Sequence, residues 1–196
     1  MPWDSAPFTI EAYHGTNAAN LPMIKAEGIR ESKGDGHYLG DGIYFFSAGT
    51  SANDPVADSH NWAIAEYHAG DRAAPRELAV LKYELKTSVE CFLDLTDKDG
   101  MEVYNYLRRQ YLTKVRQAGY QITDGPKWRD GQLLNDALDN LIILARVVKG
   151  NFFFKFAEER MSGVDFRIPN TTILVVRPEA EMAELSEPEI HHKEYF

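Results

Sequence analysis

The chain is poor in the features that mark export, membrane insertion or metal chemistry. It has one cysteine, Cys91, in 196 residues, so no internal disulfide can form and a reducing cytosol is the expected setting. No apolar run approaches the roughly 20 residues that span a bilayer, and Met1-Pro2-Trp3-Asp4-Ser5 lacks the basic and apolar regions of a secretory signal. A cytoplasmic protein without a membrane partner is therefore expected. Positive charge is also scarce: 21 Lys and Arg stand against 30 Asp and Glu, a net charge of −9. That balance excludes a protein that coats DNA generally. Motifs are missing too. No P-loop occurs, and Gly34, Gly36 and Gly40 have the wrong spacing for a dinucleotide-binding G-x-G-x-x-G. There is no H-E-x-x-H and no cysteine pair. His191-His192 with Glu194 could bind a metal, but an acidic tail from Glu179 that ends in solvent is the simpler expectation, and Cys91, in an apolar run, reads as an inert buried thiol. No metal is expected.

What is present suits one globular domain over residues 1–196, with 44% hydrophobic and 12% aromatic residues. Phe8 to His14 alternates like a strand, and Gly15-Thr16-Asn17 breaks it. Asn20 is placed to cap a short helix from Leu21 that ends near Gly28. Four glycines between Ser32 and Gly42 make a loop before the strand Gly42 to Phe46. Asp58 or Ser59 would cap a helix reaching about His68. Leu78 to Leu85 and Val89 to Leu93 read as further strands. The period then becomes helical: Val103, Leu107, Tyr111, Val115 and Ala118, and later Leu133, Leu134, Leu138, Leu141, Ile142 and Ala145, predict two helices. Strand character returns at Asn151 to Phe156 and Thr171 to Val176. The order lacks steady βαβ alternation, so the expected class is α+β with a helical insertion around residues 100–148.

The charge is uneven along the chain. Residues 1–100 carry 8 Lys and Arg against 16 Asp and Glu, whereas residues 101–130 carry 6 against 3. Within that basic stretch Tyr104, Tyr106, Arg108, Arg109, Tyr111, Lys114 and Arg116 fall on one predicted helix. Arginine pairs with phosphate and tyrosine stacks on bases. At helical spacing, however, Arg108, Arg109 and Arg116 cannot all share one face with Tyr111, so a solvated face over a core stripe is the simpler expectation. The functional alternative is that the helix from Arg108 to Arg116 meets an acidic or nucleic-acid partner.

Two short motifs carry the chemistry. Tyr13-His14-Gly15-Thr16 closes the first strand, and Leu39-Gly40-Asp41-Gly42-Ile43-Tyr44-Phe45 leads into the second. Histidine at a strand end offers a hydrogen bond while the adjacent glycine lets a ligand approach the backbone. Tyr44 and Tyr67, the latter in the following helix, are placed to flank a planar heterocycle. This arrangement resembles the ADP-ribosyltransferase superfamily, in its diphtheria-toxin-like branch that includes the poly(ADP-ribose) polymerases. The resemblance covers roughly residues 8–95 and, more weakly, 150–182.

The resemblance implies a split β-sandwich that binds NAD as substrate. His14 would hydrogen-bond the adenine-side ribose, Gly15 would pair with the nicotinamide carboxamide through its backbone, and Thr16 would support the turn. Tyr44 and Tyr67 would form the two faces of the nicotinamide slot. The bond between nicotinamide and its ribose would break through an oxocarbenium-like state, and ADP-ribose would pass to a macromolecular acceptor, protein or nucleic acid. Two positions depart from the family pattern. Ile64 stands where the polymerases have a serine, and Thr171 stands where the last catalytic strand usually has a glutamate. Three readings follow: Glu158 or Glu159 supplies the carboxylate, the enzyme transfers a single ADP-ribose without it, or the site only binds. Simple NAD hydrolysis, an inactive module that binds ADP-ribose or a partner, and RNA 2′-phosphotransfer are the competing functions.

Overall fold

A computed structural model describes residues 6–34, 36–49, 54–69, 77–119, 130–140, 142–156, 168–177 and 184–195; for 67–69 and 192–195 it describes the backbone alone. The chain is of the expected α+β class, and its described residues form a mostly antiparallel open sheet of eight strands with four α-helices. The strands are β1 (Phe8–Asn17), β2 (Ile43–Phe46), β3 (Glu77–Thr87), β4 (Phe92–Asp94), β5 (Val147–Phe152), β6 (Thr171–Val176), β7 (Glu184–Leu185) and β8 (Glu189–Tyr195). The helices are α1 (Leu21–Glu27), α2 (Pro55–Ala69), α3 (Lys98–Gln117) and α4 (Asp130–Asp139).

The sheet order is β4-β5-β6-β2-β1-β3-β7, with β8 also on β3, and among the described strands only the β4–β5 pair is parallel. All six residues of β6 are buried, which is why Thr-Thr-Ile-Leu-Val-Val reads as a continuous apolar run rather than an alternating one. The pleat divides neighbouring residues between two cores. Phe46, Ile173 and Val175 join Leu107, Leu134 and Leu138 of α3 and α4 on one face. Ile43, Phe45, Leu174 and Val176 join Ile24 of α1 on the other. The helical insertion expected around 100–148 is thus α3 and α4, between β4 and β5, laid over the first face.

Several local expectations are corrected. Helix α2 begins at Pro55, with the Asp54 carboxylate accepting from the Val56 N–H at 2.9 Å. Asp58 and Ser59 therefore lie inside the helix, and both are buried. Asn20 makes no side-chain cap; its amide donates to the Thr16 hydroxyl at 3.1 Å instead. Val89–Cys91 is a 3-10 turn, with Cys91 buried. The strand placed at 151–156 runs from Val147 to Phe152, because Gly150 does not interrupt the ladder with β6. The stripe of α3 runs through Tyr104 and Leu107 to the half-buried Tyr111, and Val103 is exposed. The acidic tail does not end in solvent: β7 and β8 pair antiparallel with β3.

Candidate functional site

The site is built where β1 emerges beside β2. Strand β1 is held on one side by a ten-residue ladder with β3, in which His14 stands opposite Leu81, and on the other by the Tyr13–Phe46 pair with β2. The His14 Nδ1 lies 3.0 Å from the Tyr44 carbonyl oxygen. A carbonyl can only accept, so Nδ1 carries the proton and Nε2 is left as an acceptor. Burial holds the imidazole below its ordinary pKa, and the bond to the Tyr44 carbonyl only partly opposes that. The ring is therefore neutral near pH 7. The two motifs read from the sequence meet in this one hydrogen bond.

Gly15 is required by packing. A Cβ there would lie 1.8 Å from the Ser59 carbonyl oxygen and 3.3 Å from the Ala63 Cβ, both on α2. Only glycine lets the helix come down against β1 here. That close seat fixes the next turn of α2, so Trp62 and Glu66 border the space above His14 and Gly15. Trp62 is held from behind by Phe154, with ring centroids 5.3 Å apart and near-perpendicular planes.

Tyr44 is fixed at both ends of its hydroxyl. The O–H donates to the Gly40 carbonyl at 2.6 Å and accepts from the Leu39 N–H at 3.0 Å. Burial pushes its pKa well up, so the phenol stays protonated. The loop it grips is tied in turn to the insertion. Asn135 of α4 accepts from the Asp41 N–H at 2.7 Å, donates to the Asp41 carboxylate at 3.1 Å, and accepts from Arg177 at 2.6 Å. Gly40 has φ +86°, and a Cβ there would lie 2.3 Å from the Asn135 Oδ1, so this position is closed to other residues twice over.

These elements enclose a cleft of about 390 Å³, lined by His14, Gly15, Tyr44, Trp62 and Glu66 together with Arg30, Ser32, His37 and Tyr38 of the loop before β2. A second hollow of about 260 Å³ adjoins it and shares His14, Gly15, Trp62 and Glu66, adding Thr16, Asn17 and Asn20. The larger volume lies within the roughly 300–1,000 Å³ usual for small-molecule sites. Its walls are largely aromatic, with Arg30, Ser32, His37 and Glu66 among the polar members. Among the described residues no group of three or more His, Cys, Asp or Glu is placed to hold a metal ion.

Of the residues named from the sequence, His14, Gly15 and Tyr44 come together at this cleft, and Thr16 lines the adjoining hollow. Thr171 does not. It is fully buried, and its hydroxyl donates at 2.5 Å to Asp58, itself buried under the first turns of α2. Its neighbour but one, Ile173, reaches the cleft wall instead. Tyr67 lies on α2, but its side chain, like the whole of Glu158 and Glu159, falls outside the described residues. Trp62, Glu66 and His37 were not singled out from the sequence. The first two carried a usable signal, since they sit one helical turn apart in the helix already assigned to the site by Tyr67. No model of a known protein family matches the chain, and no curated protein is similar to it.

Proposed function

We propose that this protein is an NAD-dependent mono-ADP-ribosyltransferase, with the split β-sandwich of that superfamily as its fold. It would cleave the bond between nicotinamide and ribose and pass ADP-ribose to a macromolecular acceptor, protein or nucleic acid. The observation that carries this reading is the joining of the two motifs. His14 and Gly15, from H-G-T, and Tyr44, from G-D-G-I-Y-F, line one cleft and are linked by the His14–Tyr44 hydrogen bond.

The roles follow from the chemistry of those groups. A neutral His14 with Nδ1–H engaged presents Nε2 as an acceptor, which suits a ribose hydroxyl. The Gly15 backbone borders both the cleft and its adjoining hollow, which suits a carboxamide. The Tyr44 ring, anchored through its hydroxyl, offers a rigid face for stacking the nicotinamide. A fixed aromatic wall and preset hydrogen bonds favour a strained, bent dinucleotide, and hence the transition state over the relaxed substrate. A second reading, a module that binds ADP-ribose or a partner without catalysis, draws support from the burial of Thr171 at the position where the family usually has a glutamate.

The test is incubation with NAD labelled in the adenylate part, alone and with cell lysate or nucleic acid, following nicotinamide release and label transfer. The expected result is release together with transfer. Release without transfer would make the protein an NAD hydrolase, and no release under any condition would leave only the binding module.

A further inference from the structure

If the cleft cleaves NAD, departure of nicotinamide leaves positive charge on the ribose, and the attacking acceptor must lose a proton. Both events call for a carboxylate. Thr171 brings no charge, and the Asp58 it contacts is buried and already accepts that hydroxyl. Among the described residues that line the cleft and its adjoining hollow, Glu66 is the only acid. It borders both spaces, beside His14, Gly15 and Trp62. Its side chain is exposed and makes no hydrogen bond or ion pair with any described residue, so it is open to a ligand. Its backbone position is fixed from below: Ala63, one turn earlier, abuts Gly15, and Trp62 is pinned by Phe154.

We propose that Glu66 is a catalytic residue, the general base that takes the acceptor's proton; the proposal rests on the NAD-cleaving reading above. The C1′–N bond breaks with its electron pair passing to the nicotinamide ring nitrogen, which thereby loses its charge. The oxygen of an acceptor hydroxyl, or of water, forms the new bond to C1′. Its proton passes to the Glu66 carboxylate and from there to solvent. An exposed carboxylate at the mouth of the cleft suits this task, because the acceptor arrives last and from outside.

The experiment compares the full-length protein with Glu66→Gln and Glu66→Asp, measuring nicotinamide release and label transfer across pH, and binding of a non-cleavable carba analogue of NAD. Glu66→Gln should lower the turnover of both by about 100-fold, the usual scale for losing a general base. It should leave analogue affinity within about threefold, so that the loss falls on kcat rather than on binding. The acid limb of the pH–rate profile should vanish in Glu66→Gln and persist in Glu66→Asp, which keeps intermediate activity. Turnover of Glu66→Gln within about threefold of the wild type overturns the proposal and leaves NAD cleavage standing, as does an affinity loss that accounts for the whole rate loss. A wild-type protein that binds the analogue but releases no nicotinamide overturns the NAD-cleaving reading itself, and the role of Glu66 with it.

Discussion

His14 is subject to two opposed effects, and burial is the larger. Desolvation disfavours the imidazolium, while the Tyr44 carbonyl favours a proton on Nδ1. The folded state therefore binds a proton on this group less readily than the unfolded chain, whose histidine titrates near 6.5. Its stabilising contribution is full above that value and is lost as pH falls below it toward the depressed folded value, with a slope of up to about 1.4 kcal/mol per pH unit. Urea denaturation between pH 7.5 and 5.5 should show a steeper loss in the wild type than in His14→Asn, and equal slopes would contradict a neutral, half-buried ring. Tyr44 separates stacking from anchoring. Tyr44→Phe keeps the ring but leaves the Leu39 N–H and Gly40 carbonyl without their partner, at a cost of roughly 1–3 kcal/mol in thermal or urea stability. Tyr44→Ala removes the ring itself and should abolish nicotinamide release; a fully active Tyr44→Ala would mean that the cleft is not where the chemistry occurs.

At the scale of elements, the sequence revealed the two motif strands and the helices but misplaced their ends and what joins them: Gly15-Thr16-Asn17 continues β1 instead of breaking it, and α4 stops at Asp139, short of Ile142 and Ala145. Periodicity gives a strand at Thr171–Val176 whether its first residue faces a ligand or a helix, so only the packing of α2 shows that Thr171 is sealed against Asp58. Asp58 looked like a cap because an acid before an apolar run is the usual cap signal; here it is a buried acceptor inside α2. Thr171→Val leaves that carboxylate short of a donor and should cost roughly 1–3 kcal/mol of stability. It should leave nicotinamide release per folded molecule unchanged, and a selective loss of release would return Thr171 to the site. The tie between α4 and the glycine loop was equally hidden, since Asn135 and Asp41 lie 94 residues apart. Asn135→Ala removes three hydrogen bonds around that loop. Because the same loop holds Tyr44 in place, the expected signature is a raised KM for NAD together with a lower melting temperature.

For the whole molecule, the net charge of −9 conceals a local contrast: Arg108, Arg109 and Arg116 are exposed on the outer side of α3, while Tyr104 and Leu107 enter the core. The solvated-face expectation for that helix agrees with this arrangement, and an acidic acceptor would have to be met there locally. The tail departs furthest from what composition implies: it is acidic and polar, yet it pairs with β3, because pairing partners are set by the sheet. Strand β3 carries β1 on one edge and β7 with β8 on the other, so the last strands cover the outer edge of the strand that supports His14. Exposed edges pair with other chains, and β3 is apolar enough to do so, with Leu78, Ala79, Val80 and Leu81 all buried. Deleting the chain from Glu184 onward should therefore have two effects. The melting temperature should fall by roughly 5–10 °C, at about 2–4 °C per kcal/mol for a chain of this size. The truncated protein should also self-associate in sedimentation or light scattering, through the backbone groups that the lost strands leave unpaired along β3. A truncated protein with unchanged melting temperature and no tendency to associate would show that the edge of β3 does not need its C-terminal cover.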